Sequence, residues 1–200
     1  MPVKPMFFKN PYDAPANLRG FVVEDRYLSS TQSDINGYPL LGTLDWLIDN
    51  RKEVVCCCTI GNPNARAHIQ EELEKKECIF ETLISPDVKI HQTTFVENGI
   101  IIQSGCRISV NIIIKKGALL NGEITIGHDT NIGAYSCVMP RSSLLGNVRI
   151  GKQAMIGCGS ILIPGLTIED EAIVAPGSVV YRRVKKGKHV LGNPAKYIDL

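Results

Sequence analysis

Aliphatic residues recur at every sixth position over residues 84–180 of this 200-residue chain. Each position of the frame holds Ile, Leu or Val. Its members are Ile84, Ile90, Val96, Ile102, Ile108, Ile114, Leu120, Ile126, Ile132, Val138, Leu144, Ile150, Ile156, Leu162, Ile168, Val174 and Val180. A period of six fits neither a helix nor one long alternating strand. The pattern therefore restricts this part of the chain to short strands that bend at fixed intervals.

A second column of residues supports the same frame. Four residues after each aliphatic position comes a small or aliphatic side chain, as at Ala118 and Ser136. Three short strands then close a triangular coil of about eighteen residues, and the inward side chains stack on those of the next coil. We predict a parallel β-helix of about five coils over residues 84–183. A β-sandwich fits poorly, because its strands recur every 8–12 residues or so without one fixed frame.

Glycine often follows the aliphatic residue directly, as at Gly127, Gly133, Gly151 and Gly157. We expect these positions to need a backbone conformation that a Cβ would disfavour.

Residues 1–83 lack the six-residue frame, and strand patterns alternate there with helix patterns. Alternation of this kind predicts a small α/β, Rossmann-like domain with a parallel sheet. The predicted strands are Arg19–Val23, Glu53–Ile60 and Ile79–Leu83, with a turn at Gly37-Tyr38-Pro39. Two helices are predicted, one capped by Thr43 and one that begins at Asn62-Pro63 and reaches about Lys76.

The composition is that of an ordinary globular domain, with 44% hydrophobic and 21% charged residues. A net charge of +2 favours neither an acidic nor a basic partner, and no nucleic-acid partner is expected. No apolar stretch approaches the roughly 20 residues of a membrane helix. Met1–Asn10 lacks the apolar core of a secretory signal, so we expect a cytoplasmic protein.

Seven cysteines raise the alternatives of a disulfide framework, a metal site or plain thiols. Cys56, Cys57 and Cys58 are consecutive, and the ligands of a zinc site are normally spaced. We therefore predict structural thiols in a reducing compartment and no metal site.

Four motifs resemble those of one known family over residues 19–197. They are Ile35-Asn-Gly-Tyr-Pro-Leu-Leu-Gly42, Ile126-Gly-His-Asp-Thr-Asn-Ile-Gly133, Leu145-Gly-Asn-Val-Arg-Ile-Gly151 and Gly192-Asn-Pro-Ala-Lys196. Together they resemble the hexapeptide-repeat acyltransferases of the sialic-acid O-acetyltransferase and UDP-4-amino-sugar N-acetyltransferase group. The resemblance implies a left-handed parallel β-helix, acetyl-CoA as co-substrate and a sugar or nucleotide-sugar acceptor. It also implies a homotrimer with sites between subunits and a role in cell-surface glycan biosynthesis.

One feature departs from that family. Its members usually open with a strand and a phosphate loop of the type Gly-x-Ser-Gly-His, whereas Met1–Asn17 contains no glycine. The α/β domain, residues 1–83, is therefore predicted to be truncated. Residues 184–200 are predicted to be a basic C-terminal tail.

His128 is the predicted general base, because a histidine titrates near neutral pH and a residue two after inward Ile126 should lie on the surface. The resemblance assigns the same role to His128 and a supporting role to Asp129. Gly146 follows His128 by eighteen residues, so it should be its neighbour in the next coil. Its N–H is a candidate oxyanion donor; a glycine needed only for the shape of the corner is the alternative. His91 is out of register with His128, which argues against a three-histidine zinc site.

The resemblance places the pantetheine arm of acetyl-CoA along Cys158, Pro164 and Pro176. Direct transfer needs no acyl-enzyme, so Cys158 is not predicted to be a nucleophile. Basic residues near the C-terminus, among them Arg182 and Lys196, either meet the CoA phosphates or are simply solvated; both interpretations stay open. We therefore predict an acetyl-CoA-dependent sugar acetyltransferase acting on an amino or hydroxyl group. A non-catalytic oligomerisation scaffold and transfer of another acyl group are the alternatives.

Overall fold

The computed structural model describes residues 6–7, 18–28 and 33–199. Over residues 95–180, two-residue strands alternate with four-residue turns and stack in parallel into three walls. Wall 1 contains β5 (Leu83–Ile84), β7 (Ile101–Ile102), β10 (Leu119–Leu120), β13 (Cys137–Val138), β16 (Met155–Ile156) and β19 (Ile173–Val174). Wall 2 contains β8 (Arg107–Ile108), β11 (Thr125–Ile126), β14 (Ser143–Leu144), β17 (Ile161–Leu162) and β20 (Val179–Val180). Wall 3 contains β6 (Phe95–Val96), β9 (Ile113–Ile114), β12 (Asn131–Ile132), β15 (Arg149–Ile150) and β18 (Thr167–Ile168).

Successive strands of each wall pair in parallel with a register of one coil, as Ile126 does with Leu144. The predicted fold class, mainly β with the stacked parallel strands of a left-handed β-helix, is confirmed. We name the three columns of turns by the walls they join. Corner 1–2 follows wall 1, corner 2–3 follows wall 2, and corner 3–1 follows wall 3.

The predicted aliphatic column forms the core of the coils. Ile90, Val96 and Ile108 are partly buried and pack against this core, while every other member of the column is at most 4% exposed. Full burial of one such side chain contributes about 1.5–3 kcal/mol. The second column points inward as well, and its buried serines find partners in their own turn or in the next coil: the Ser136 hydroxyl donates to Gly133 O at 2.8 Å and the Ser160 hydroxyl to Ala175 O at 3.1 Å.

The glycines that follow the aliphatic residues are needed for a different reason from the one predicted. The left-handed backbone falls two residues later, at Asp129 and Gln153, both with a φ of 57°. Gly151 is instead pressed against the next coil, where a Cβ would lie 2.3 Å from the backbone nitrogen of Asp170. Close packing of successive coils therefore excludes a side chain at this position.

The described part of the N-terminal segment, residues 18–83, is a small α/β arrangement. In its sheet, β2 (Phe21–Val23) pairs in parallel with β4 (Tyr38–Thr43), which also pairs antiparallel with β3 (Asp34–Ile35). A short 3-10 helix, Asp25–Tyr27, follows β2. Helix α1 (Leu44–Asp49) begins after Thr43, as predicted, although the Thr43 side chain makes no capping hydrogen bond. No helix in the described ranges is both long and apolar enough to cross a bilayer.

The strand predicted at Glu53–Ile60 is much reduced. It makes one parallel bridge, between Cys56 and Phe80, and Val55 is 48% exposed. The prediction that residues 1–17 lack the phosphate-loop unit falls almost wholly outside the described residues. Within that stretch, β1 (Met6–Phe7) pairs with β5 and so adds a strand to wall 1.

Helix α2 (Pro63–Lys75) joins the N-terminal segment to the coils. The Asn62 side chain caps the helix by accepting from the Ala65 amide at 3.0 Å, as predicted. The helix lies along corner 3–1, where Arg66 is 1% exposed. Its guanidinium donates to the carbonyls of Gly117, Tyr135 and Ser136 in the coils and to those of Ile60 and Gly61 in the N-terminal segment. Arg66 thus fixes the two regions to each other through backbone oxygens.

The residues after 183, predicted to be a tail, continue the prism. Val184 bridges to Ile168, and β21 (His189–Gly192) pairs in parallel with β19. The chain then reverses into β22 (Ala195–Ile198), which pairs antiparallel with β21. This hairpin covers the last strand of wall 1.

Candidate functional site

His128 lies at corner 2–3, between β11 and β12, where its side chain is 62% exposed. Ile126 fills the core two residues earlier and is 1% exposed, so the chain turns outward between the two positions. The imidazole is therefore on the surface of the prism, where the sequence frame predicted it.

Asp129 holds one edge of the His128 imidazole. The distance between His128 Nδ1 and Asp129 Oδ2 is 2.7 Å. An ionised carboxylate can only accept, so Nδ1 carries the proton and Nε2 of the neutral ring keeps its lone pair. The hydrogen bond from His128, together with one from Asn111, lowers the pKa of Asp129 below its ordinary value. Asp129 therefore stays ionised at neutral pH and accepts from Nδ1 of the ring, whose Nε2 lies on the opposite edge.

Gly146 lies in the next coil, directly against the imidazole. The two coils are joined here by the Asn147 amide, which donates to His128 O at 2.7 Å. A Cβ on Gly146 would lie 3.0 Å from His128 Nε2, and the residue has a φ of 105°. The left-handed backbone favours glycine, and a Cβ at this position would push the imidazole away. In the described part of the chain, no acceptor is found for the Gly146 N–H.

This arrangement brings together two of the groups that acyl transfer requires. Nε2 can take a proton from an attacking amine or hydroxyl, and a backbone N–H without a protein acceptor can stabilise an oxyanion. The two groups belong to adjacent coils, so the stacking of the prism fixes their separation.

Asn111 is a functional candidate that the sequence analysis missed. It lies at corner 2–3 one coil before Asp129, and its Nδ2 donates to Asp129 Oδ1 at 2.9 Å. The signal was present, because Asn111 precedes Asp129 by the same eighteen residues that separate His128 from Gly146.

The residues predicted to bind CoA lie at two different corners. Pro164 and Arg182 are at corner 2–3, in the coils beyond Gly146, whereas Cys158 and Pro176 are at corner 1–2. Wall 2 separates the two groups within one chain. A groove of about 870 Å³ opens along corner 1–2, and its lining includes Cys158 and Arg141. One chain therefore does not bring all the predicted residues to one place.

Several basic side chains surround the C-terminal end of the prism. Arg183 pairs with Glu169, and Lys186 pairs with Glu171 at 3.2 Å. Among the described residues, no carboxylate lies within ion-pair distance of the exposed side chains of Arg182, Lys185, Lys188 and Lys196. These four cations remain available to an anionic ligand.

The seven cysteines are free thiols. Burial raises the pKa of Cys57 to about 12 and also raises the pKa of Cys56 and Cys58, so these thiols are poor nucleophiles. Cys158 alone is exposed among the seven. Within the described ranges, no group of three His, Cys, Asp or Glu side chains could hold a metal ion.

Comparisons with known proteins place these features in context. Residues 147–182 match the family model described as bacterial transferase hexapeptide (six repeats). YvoF of Bacillus subtilis (strain 168), which is named as an acetyltransferase, is 30% identical over 99 residues. That match covers 47% of this chain and 58% of YvoF, so the chain spans less than two thirds of this relative.

Two solved structures have the same fold over most of this chain. The acetyltransferase domain of PglB from Neisseria gonorrhoeae FA1090 superposes with a TM-score of 0.81 at 26% identity, covering 86% of this chain and 84% of its own. PerB from Caulobacter crescentus, solved in complex with CoA and GDP-perosamine, superposes with a TM-score of 0.80 at 26% identity. The match covers 84% of this chain and 82% of PerB. YvoF and the PglB domain are thus named as acetyltransferases, and PerB was solved with CoA and the nucleotide sugar GDP-perosamine.

Proposed function

We propose that this chain, which belongs to the hexapeptide-repeat family, transfers an acetyl group from acetyl-CoA to an amino or hydroxyl group of a sugar or nucleotide sugar. The observation that carries the proposal is the His128–Asp129 pair, with the imidazole packed on Gly146. The similarity to PerB, whose structure contains CoA and GDP-perosamine, supports the donor and the class of acceptor.

The proposed reaction is a direct transfer. The acceptor nitrogen or oxygen attacks the thioester carbonyl carbon while its proton passes to His128 Nε2. The Gly146 N–H stabilises the negative charge that develops on the carbonyl oxygen. The carbon–sulfur bond then breaks, and the proton held by His128 neutralises the departing CoA thiolate. Asp129 stabilises the imidazolium that forms between these two steps.

The donor is proposed to lie between subunits. Cys158 and Pro176 are at corner 1–2, whereas His128 and Gly146 are at corner 2–3, so one chain supplies only part of the binding surface. In a homotrimer, corner 1–2 of one subunit faces corner 2–3 of its neighbour and completes the site. The unpaired cations at the C-terminal end, Arg182 and Lys196 among them, then meet the CoA phosphates. An acyl-CoA donor and seven free thiols favour the cytoplasm.

An acceptor screen with acetyl-CoA and detection of the released thiol tests the proposed activity. His128→Ala should lower kcat/KM by about 10²–10⁴-fold, because general base catalysis typically contributes that much. His68→Ala is the matched control, since His68 is an exposed histidine on helix α2, and it should stay within about twofold of the wild type. Activity of His128→Ala near that of the wild type would contradict the mechanism.

Binding experiments separate this enzyme from a scaffold of the same fold. Acetyl-CoA at about 100 times its Kd should stabilise an enzyme by about 2.7 kcal/mol, whereas a scaffold should show no shift in melting temperature. A panel of acyl-CoAs in the same assay identifies the transferred group. A larger shift and faster turnover with another acyl-CoA would reassign the donor and leave the chemistry at His128 intact.

A further inference from the structure

We propose that Asn111 is a positioning residue, which acts on the candidate base His128 through Asp129 and sets the tautomer of the imidazole. The inference rests on the proposed function for its effect on catalysis. Its structural part stands on the hydrogen bonds of corner 2–3 alone.

The Asp129 carboxylate has a different partner on each oxygen. Oδ2 accepts from His128 Nδ1 at 2.7 Å, and Oδ1 accepts from Asn111 Nδ2 at 2.9 Å. Asn111 therefore fixes the plane of the carboxylate in the orientation that meets the imidazole. Side chains of Asp129 and His128 are 51% and 62% exposed, so little packing restrains them otherwise.

The backbone of Asn111 is held in turn from the coil before it. Its amide donates to Thr93 Oγ1 at 2.9 Å, and Thr93 Oγ1 lies 2.9 Å from His91 Nδ1. Asn111 and Asp129 both adopt a left-handed backbone, with φ of 59° and 57°, a conformation in which Asn and Asp are well tolerated. A column of hydrogen bonds thus runs along this corner from His91 to His128.

The functional consequence depends on which of the two imidazole nitrogens of His128 carries the proton. When Asp129 is held in place, the proton stays on Nδ1 and Nε2 is free to act as the base that faces Gly146. When Asp129 can rotate into water, the tautomer with the proton on Nε2 gains population, and that tautomer cannot accept a proton at the reacting side.

Asn111→Gly removes the side-chain amide, and glycine readily adopts the left-handed backbone found at this position. We expect kcat to fall about tenfold, with the KM for acetyl-CoA within about twofold, because residues that orient a functional group typically contribute about 10–100-fold. Asn111→Asp keeps the shape but replaces the donor by an acceptor, and it should lose at least as much activity. Gln153→Gly is the matched control: Gln153 has a φ of 57° and occupies the same turn position at corner 3–1, away from His128 and Gly146. It should stay within about twofold of the wild type.

A second measurement does not depend on turnover. Long-range ¹H–¹⁵N spectra of the four histidines report the tautomer of each ring, and His128→Ala identifies the signal of interest. The wild type should show the His128 proton on Nδ1, and Asn111→Gly should show a mixture of both tautomers. Identical spectra for the wild type and Asn111→Gly, or equal kcat for Asn111→Gly and Gln153→Gly, would overturn the proposal. If the wild type transfers no acetyl group to any acceptor, the proposed function fails, while the spectra still decide the role of Asn111.

Discussion

The coils and the N-terminal segment differ in whether their contacts recur at a fixed spacing along the sequence. In the coils, each residue meets the one eighteen positions away, as Asn111 meets Asp129, and the same contact recurs along the prism. In the described residues of the N-terminal segment, contacts follow no fixed spacing, as the bridge between Cys56 and Phe80 and the pairing of β2 with β4 illustrate. In the coils, the neighbours of a residue can therefore be predicted by counting along the sequence. In the N-terminal segment, they can be found only from the coordinates. The candidate base is in the region where counting works.

The largest effect on stability is expected from a substitution at the contact between the two regions. Arg66→Met removes a buried guanidinium that donates to carbonyls on both sides, among them Tyr135 O and Ile60 O. We expect a loss of about 3 kcal/mol in the free energy of unfolding, since the carbonyls are left buried without donors. Urea unfolding followed by circular dichroism measures it.

Arg66→Lys is the control for that prediction, because it keeps the charge but reaches fewer carbonyls. Its loss should be smaller than that of Arg66→Met. Hydrogen exchange should also rise in helix α2 before it rises in the coils, since α2 depends on this contact. A stability of Arg66→Met within about 1 kcal/mol of the wild type would mean that the two regions are joined by something other than this guanidinium.

Two glycines sharpen the comparison within the coils. A Cβ on Gly151 would lie 2.3 Å from Asp170 N in the next coil, whereas a Cβ on Gly159 meets nothing within 4 Å although its φ is 65°. We expect Gly151→Ala to cost about 3 kcal/mol, because the coils must separate. Gly159→Ala should cost about 1 kcal/mol, the strain of a left-handed backbone alone. Equal costs in thermal unfolding would show that the close approach of the next coil is not what selects glycine at position 151.

The sequence predicted the coils almost residue by residue. The column through Ile126 and the neighbours His128 and Gly146 follow from a period of six, because identical short strands leave one way to stack. The reason for Gly151 was predicted wrongly, since the distance between coils is a property of the folded stack. The separation of Cys158 from His128 by wall 2 was also missed, although the frame could have shown it.

Less of the N-terminal segment was predictable, and Arg66 shows why. An arginine in a polar helix is typical of a solvent-exposed face, and the partners of this one are backbone carbonyls, which every residue has. No sequence pattern marks them. Similarly, Glu53–Ile60 has the composition of a buried strand, yet Val55 is exposed and only Cys56 in this segment forms a β-bridge. In such a region the elements can be predicted but their contacts cannot.

Two carboxylates, one in each region, provide the smallest test of the difference. Asp87 accepts from the Ser85 hydroxyl, the Gly105 amide and the Ser104 hydroxyl, and these hydrogen bonds lower its pKa. Glu72 on helix α2 has its pKa lowered chiefly by Lys75, through their hydrogen bond and their opposite charges. A carboxyl whose pKa is lower in the folded state contributes stability above its unfolded pKa and loses it as the pH falls through the folded value.

The melting temperature of the wild type should therefore fall as the pH is lowered from about 5 to about 3, and Asp87→Asn should flatten that fall by no more than about 2 °C, because the group is exposed to solvent. Glu72→Gln should change the pH dependence of the melting temperature less, since one lysine on the same helix restrains a carboxylate less than three donors from two successive coils do. A greater flattening by Glu72→Gln would mean that the stacked coils restrain a surface carboxylate no better than an exposed helix does. The stacking of the coils would then restrain only the core side chains, and not corner side chains such as that of Asp129.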